Sequence, residues 1–498
     1  MSDFFLALRD SVGMDLYRPI LLFLEFRDYL SLYQASRSLK EILGKVETWH
    51  QSELTGNKAL TAIFHDKKNV MLTGLGGTGK SYTFGRIVHH AKQLKIRHQI
   101  TSTTGISSSL VEGVTVHCFF GIGLYKRVES LLKTFVGQGK SSELKKRLNE
   151  LDLLLIDEVS MLGAKTLEIL DFVARLYRED SRPFGGLQLV FSGDFYQLPA
   201  IREKRVFTSP LWKKLNIETY EFQASVRHKN DLTFHRLLSR LRTGSLLLCD
   251  RNLLAQRSDL VIPEGTMRLY STNLEADSYN QERFKAHEGP ESSLQAFDQA
   301  LALLVVDKKR TFVPTLLITP AALRSALQKQ LMRLPTLLML KPGAQYYITA
   351  NLDPANGILN GKACRFVNLK FIGGFPVAVV TLAPDYKETY DIYPITRRYQ
   401  YFIKDGSSAG QEVYLRRTQI PLKLGYAMTI HYAQGATLDK AFIDCSRIRT
   451  CAQMYVGASR VRCLDDLYIK GFQGKKYKPS DQVQNYYEEL KKTGRVNH

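Results

Sequence analysis

The chain has 498 residues, 44% of them hydrophobic and 23% charged, a composition ordinary for a globular protein with room for about three domains. No apolar stretch approaches the roughly 18 residues of a spanning helix, and no lysine-faced amphipathic helix suits an acidic membrane surface, so no membrane is expected. A formal net charge of +21 instead favours a polyanion, and nucleic acid leads. The opening MSDFFLALRDSVGMDLYRP lacks a basic n-region and a small-residue cleavage site, and Asp3, Asp10 and Asp15 argue against a transit peptide. The expectation is an intracellular protein of the nucleus or a viral replication compartment, with the mitochondrion less favoured. Cys118, Cys249, Cys364, Cys445, Cys451 and Cys463 form no CxxC pair and no zinc spacing, which reads as reduced thiols.

In chain order, residues 1–50 read as helices, with apolar positions recurring at three and four in LYRPILLFLEFRDYLSLYQASRSLKEIL. From about 68 to 225 strand and helix alternate: NVMLTG, SYTFGRIVHHAKQL, LDLLLIDE, AKTLEILDFVARLYRE and LQLVFSGD. That alternation predicts a parallel sheet with covering helices. A second α/β region opens with the strand MRLYSTN, a Gly- and Pro-punctuated β-rich stretch runs from about 341 to 418, and the alternation returns through YAMTIHYAQGATL, AFIDC and AQMYVGASRV. The polar end, KKYKPSDQVQNYYEELKKTGRVNH, reads as a loosely held tail or helix.

GLGGTGKS at 74–81 fits G-x-x-x-x-G-K-[ST] between a strand and a helix. Gly74, Gly76, Gly77, Thr78 and Gly79 let backbone amides face a polyphosphate, Lys80 places a point charge at its terminal groups, and Ser81 offers a hydroxyl to Mg²⁺. LLLIDE ends a strand with Asp157, a second candidate for the Mg²⁺ shell, and Glu158, a candidate for polarising the attacking water. SGDFYQLP ends a third strand, and ligands of open α/β sheets lie beyond such carboxyl ends. Gln197 could sense a terminal phosphate there as a neutral amide. Its own residues leave that role and a simple strand-ending loop evenly balanced.

The stretch LLLIDEVSMLGAKTLEILDFVARLYREDSRPFGGLQLVFSGDFYQLPAI resembles the signature of the petite-integration-frequency (PIF) DNA helicases, a RecD-like branch of helicase superfamily 1 (1B). Further segments match in family order. GLGGTGKS stands as motif I, TSTTGISSSLVEGVTVHCFFGIG as motif Ia and its extension, and QASVRHKNDLTFHRLLSRLRTG as motif IV. LKPGAQYYITANLDPANGILNGKACRF resembles the β-barrel insertion, and PLKLGYAMTIHYAQGATLDKAFIDC and MYVGASRV resemble motifs V and VI. The likeness covers roughly residues 53 to 471.

The resemblance implies an α/β protein with two RecA-like P-loop motor domains and a small SH3-like β-barrel insertion. The expected parts are a helical segment over 1–50, a first motor domain over 51–225 with a wedge insertion near 120–150, a second over 226–340 and 419–475, the β-rich insertion over 341–418, and a tail over 476–498. It implies an ATP- and Mg²⁺-dependent helicase walking 5′→3′ on single-stranded and forked DNA as a monomer, in replication, repair or recombination. Stripping of bound proteins or G-quadruplexes is an alternative task. Gln197 would be the γ-phosphate sensor, with Arg227 and Arg460 as arginines reaching the same phosphate from the second core. Thr104, Gly105, His117, Phe119, His431, Gln434, Gly435 and Thr437 would touch DNA. Outside the motifs, Arg397, Arg398, Tyr399, Arg416 and Arg417 interleave charge and ring, which suits either single strands or a solvated barrel surface.

Four positions depart from the family pattern. Asn57 stands nearest the usual adenine-recognising glutamine. Tyr432 and Ala433 replace the Lys-Ser of motif V, and Ala200 replaces a second proline after motif III. Residues 15–49 resemble an F-box, which would bring a ubiquitin-ligase adaptor as partner and make the chain a DNA-linked adaptor. A helical cap on the first motor domain is the favoured alternative for that segment.

Overall fold

The computed structural model describes residues 53–103, 114–122, 141–223, 227–228, 231–306, 309–317, 319–330, 334–350, 352–353, 356, 358, 361–383, 385–403, 412–473, 477–493 and 496–497. The helical segment expected over 1–50, with its F-box-like stretch, therefore lies outside the described residues. So do 123–140, which hold most of the expected wedge. The chain forms two compact units, one of residues 1–99, 124–239 and 480–498, the other of 100–123 and 240–479.

In the first unit, five strands lie parallel in the order Val496–Asn497, Glu218–Phe222, Val70–Gly74, Gln188–Ser192, Leu153–Asp157. Their apolar runs are short and unbroken because both faces are covered: VMLTG is buried at every position and LLLID at four of five. Register sets Val70 opposite Val190 and Glu218, and Leu153 opposite Gln188. All these strands therefore end near one level. Two amphipathic helices cover the sheet. Lys80–Gln93 buries Thr83, Phe84, Ile87 and Ala91, and Ala164–Arg178 buries Leu167, Leu170, Val173, Ala174 and Tyr177, each set at helical spacing. Truncating a fully buried Leu167 to alanine would cost about 2–5 kcal/mol.

The C-terminal stretch is built into this unit and is not a loose tail. Asp481–Lys492 is a helix whose buried side is Val483, Tyr487 and Leu490, and Val496–Asn497 adds an edge strand opposite Thr219 and Tyr220. Only three buried positions stand among its charges, and its main anchors are two tyrosines, so the pattern reads as polar.

In the second unit, four parallel strands run in the order Ala427–Thr429, Met267–Tyr270, Ala441–Asp444, Leu467–Lys470. The β-rich stretch divides between two sheets. One is antiparallel, in the order Thr389–Ile392, Phe375–Leu382, Ala363–Ile372, Gln345–Ile348, Leu422–Leu424, around Tyr346, Ile348, Phe366, Val380 and Leu422. The other joins Ile395–Phe402 and Glu412–Gln419 to Phe297–Val306 and Lys309–Pro314. A buried ion pair sets that register. Arg417, 1% exposed, lies opposite Asp298 and donates from Nε and Nη2 to its two carboxylate oxygens, each at 2.7 Å. All six cysteines are free thiols, and among the described residues no helix is long and apolar enough to cross a membrane.

Candidate functional site

The strand Val70–Gly74 runs straight into the glycine loop. Gly74, Gly77 and Gly79 have φ of 135°, 82° and 96°, in the region that disfavours a Cβ. At Gly77 a Cβ would also lie 2.4 Å from Cβ of Arg227. Thr78 is fully buried and its hydroxyl donates to Leu75 O at 2.8 Å, which pins the turn. Lys80 opens the following helix, and its Nζ donates to Gly74 O at 2.7 Å and Leu75 O at 2.8 Å. The ammonium is thus held over the loop by two carbonyls. Ser81 is exposed in the first helical turn.

Two strands away, Asp157 ends the Leu153–Asp157 strand and Glu158 turns the chain with φ 53° and ψ 44°. A left-handed glutamate is strained, and such strain clusters at functional sites. Burial pushes the Asp157 carboxyl up to about 7, and the neighbouring Glu158 adds to the rise. The Glu158 amide, the Ser192 hydroxyl and the Lys80 charge pull the other way without overcoming it. A half-buried acid held this high is one that a bound cation would ionise.

The strand between these two, Gln188–Ser192, supplies the third group. Gly193 N donates to Leu72 O at 3.0 Å, and a Cβ on Gly193 would meet Val159 N at 2.9 Å. This glycine lets three strand ends approach closely. Asp194 is fully buried and closes the next turn: its Oδ1 accepts from Tyr196 N at 3.1 Å, and its carbonyl accepts from Gln197 N at 2.9 Å. Gln197 is 5% exposed. Ser192 and Asp194 stand between the apolar run and Gln197, the first bonded to Asp157 and the second closing the turn.

Arg227 belongs to the first unit, not to the second core. Its amide donates to Gly77 O at 3.0 Å, so the chain around it is tied to the glycine loop itself. Asn57 is exposed on a helix at 53–64, and its Oδ1 accepts from Arg86 Nη2 at 2.6 Å. Lys80, Ser81, Asp157, Glu158, Gln197 and Arg227 thus sit at or beyond the carboxyl ends of strands of one parallel sheet.

Arg460 lies in the second unit and is 2% exposed. Its guanidinium donates to Val456 O at 2.8 Å, Ala436 O at 3.1 Å, Ala433 O at 3.4 Å and Ser459 Oγ at 2.8 Å. It braces the turn that carries His431, Gln434, Gly435 and Thr437. On that turn His431 is half-buried, and burial lowers its pKa. Gln434 is buried, Gly435 has φ 85°, and Thr437 is exposed. Thr104 and Gly105 lie outside the described residues. His117 is half-buried in the short helix Val116–Phe119.

One expected DNA contact is corrected, and Arg417, which suited either a single strand or a solvated barrel surface, proves buried. Phe119 is 4% exposed and meets Phe120 edge-on, ring centres 5.3 Å apart, so it serves as core and offers no open stacking face. Arg417 is consumed by Asp298 and by Leu334 O at 3.0 Å. Arg397 and Arg398 are exposed, Arg398 stands 4.8 Å from the Phe312 ring centre, and Arg416 donates to Gln299. The side chain of Tyr399 is outside the described residues.

A family profile described as PIF1-like helicase matches residues 50–248. The ATP-dependent DNA helicase PIF1 of Danio rerio is 31% identical over 450 residues, covering 88% of this chain and 64% of that protein. The crystal structure of Pif1 helicase from Candida albicans superposes with a TM-score of 0.72 at 26% identity, covering 88% of this chain and 98% of the other. That of Pif1 helicase from Bacteroides in complex with ADP-AlF3 and ssDNA gives 0.68 at 22% identity, covering 88% and 97%. The chain is thus similar to the PIF1-like helicases over most of its length. It spans between 62% and 66% of the length of the first three curated relatives. Among PIF1-like features, the α/β architecture with RecA-type parallel sheets is present in both units. The unusual motif V pair also has a local reason. Tyr432 lies with its ring centre 5.0 Å from that of Tyr347, and Ala433 is fully buried, so a lysine and a serine there would lose a ring contact and crowd a closed site.

Proposed function

We propose that the chain is an ATP-dependent DNA helicase that moves 5′→3′ on single-stranded DNA and separates duplex at a fork. The observation that carries this reading is the convergence of Lys80, Ser81, Asp157, Glu158 and Gln197 at the carboxyl ends of three adjoining parallel strands. The relatives point the same way, including the Bacteroides protein with its nucleotide analogue and single strand.

Lys80 exchanges its two carbonyl partners for phosphate oxygens, and the amides of Gly76 to Ser81 line the same loop. The donor set fits a hard cation: Ser81 supplies a hydroxyl and Asp157 a half-buried carboxyl whose pKa is raised by desolvation and by Glu158. Mg²⁺ held there would neutralise phosphate charge. Glu158 accepts the proton of the attacking water. Gln197 reports the terminal phosphate through a neutral hydrogen bond, and Arg227, beside Gly77, supplies positive charge to the transition state. Arg460, bonded to four acceptors of its own unit, supports the proposed DNA-holding turn. Asn57 is assigned the adenine contact, which a shorter amide than glutamine makes less selective. On the second unit, His431, Gln434, Gly435 and Thr437 form the DNA-holding turn, where small and amide groups suit phosphates.

Partial duplexes with either a 5′ or a 3′ single-stranded tail test the proposal. The chain should unwind the 5′-tailed substrate, hydrolyse ATP faster with single-stranded DNA, and lose turnover but keep ATP binding as Glu158→Gln. Preference for the 3′ tail, or hydrolysis indifferent to DNA, would overturn it.

A further inference from the structure

The sequence offers Tyr487 no role, yet its hydroxyl sits between two parts of the nucleotide site. The Phe195 amide donates to the Tyr487 hydroxyl oxygen at 3.2 Å, and the same oxygen is 2.8 Å from the Thr73 hydroxyl. Thr73 is fully buried and directly precedes Gly74, whose carbonyl accepts from Lys80. Phe195 lies two residues before Gln197, inside the turn closed by Asp194. We propose that Tyr487 is a positioning residue for hydrolysis: it sets the phosphate loop and the Gln197 loop at a fixed offset. This inference rests on the ATPase reading above.

The surroundings concentrate that effect in one atom. The Tyr196 ring stacks flat on Tyr487, centres 5.0 Å apart with 5° between planes. Phe195 is wedged among Phe207, Trp212 and Tyr486 at 4.9, 5.8 and 5.3 Å, and its carbonyl accepts from Arg205 Nη1 at 3.0 Å. The rings alone would seat the C-terminal helix. What the rings do not define is where the Phe195 main chain lies along the Val70–Gly74 strand. A phenylalanine at 487 would keep the stacking and the burial, leave a buried amide without its acceptor, and let that offset relax. Offsets near 1 Å in groups around a reacting centre are enough to cost rate. Thr73 is needed for the same bridge, so the two hydroxyls should act as one unit.

The test uses the full chain and steady-state ATP hydrolysis with a single-stranded oligonucleotide. Tyr487→Phe should lower kcat about tenfold, leave KM for ATP within about twofold and lower Tm by no more than about 3 °C. Thr73→Val should reproduce the kcat loss, and the double variant should be no worse than either single one. Tyr486→Phe is the control. It removes the hydrogen bond that Trp212 Nε1 donates at 3.1 Å, without touching the bridge, and should turn over at the wild-type rate. An unchanged kcat in Tyr487→Phe overturns the inference, as does an equal loss in Tyr486→Phe or a loss that follows Tm across all variants. Absence of hydrolysis in the wild-type chain would remove the ATPase reading, and this inference with it.

Discussion

Asp157, proposed as a cation ligand, is held at the expense of stability. Its carboxyl is pushed up to about 7 by burial and by Glu158, against an unfolded value near 3.9. The folded chain therefore binds a proton more tightly than the unfolded chain between those two values. By linkage, its contribution to stability is fully present below the unfolded value and is lost as pH rises through about 7. Asp157→Asn removes the charge and keeps the shape. With a chelator present, the variant should melt higher than wild type at pH 8 by about 2–4 °C for each kcal/mol relieved, with the advantage vanishing near pH 5. Hydrolysis should be lost. A variant that melts lower than wild type at pH 8 would show that the ionised carboxylate is stabilising in the empty site.

Elements differ in what holds them. The Glu412–Gln419 strand is fixed in register by one desolvated pair, Arg417 and Asp298. Losing the acid would strand a guanidinium that is 1% exposed, a change that typically costs about 3–5 kcal/mol. Asp298→Ala should therefore lower the denaturant midpoint of the second unit without changing ATP affinity at the first. Equal loss in both would mean that the two units do not unfold separately. The C-terminal helix is held in another way. Its charged outer positions hide a three-residue seam, and its aromatic pair reaches the strand loops only because the chain returns to the unit it left 240 residues earlier, after Ser239. No periodicity in residues 481–492 carries that return.

At the scale of the molecule, a net charge of +21 is a statement about partners. Phosphates dominate sequence-independent DNA contact, and each neutralised phosphate releases counterion. Affinity for single-stranded DNA, measured by fluorescence anisotropy, should fall steeply between about 50 and 200 mM salt and differ little among sequences of equal length. A flat salt response would mean that the positive charge lies away from the bound strand.

Local pattern by itself placed the candidate nucleotide groups. A glycine loop between strand and helix, an acid pair at a strand end and an amide after a third strand end are all short-range features, and a parallel sheet aligns such ends whatever the rest of the chain does. Pattern also separated the two α/β regions, since strand-helix alternation repeats locally. Tertiary structure alone decided which unit owns Arg227, because its amide finds Gly77 through a loop. It decided that Phe119 and Arg417 are buried, since ring and charge look alike on an exposed face and in a core until their neighbours are known. It split the β-rich stretch into two sheets, since strand partners are chosen by side chains far apart in the chain. And it brought Tyr487 to Thr73, a contact spanning 414 residues that no window of the sequence contains.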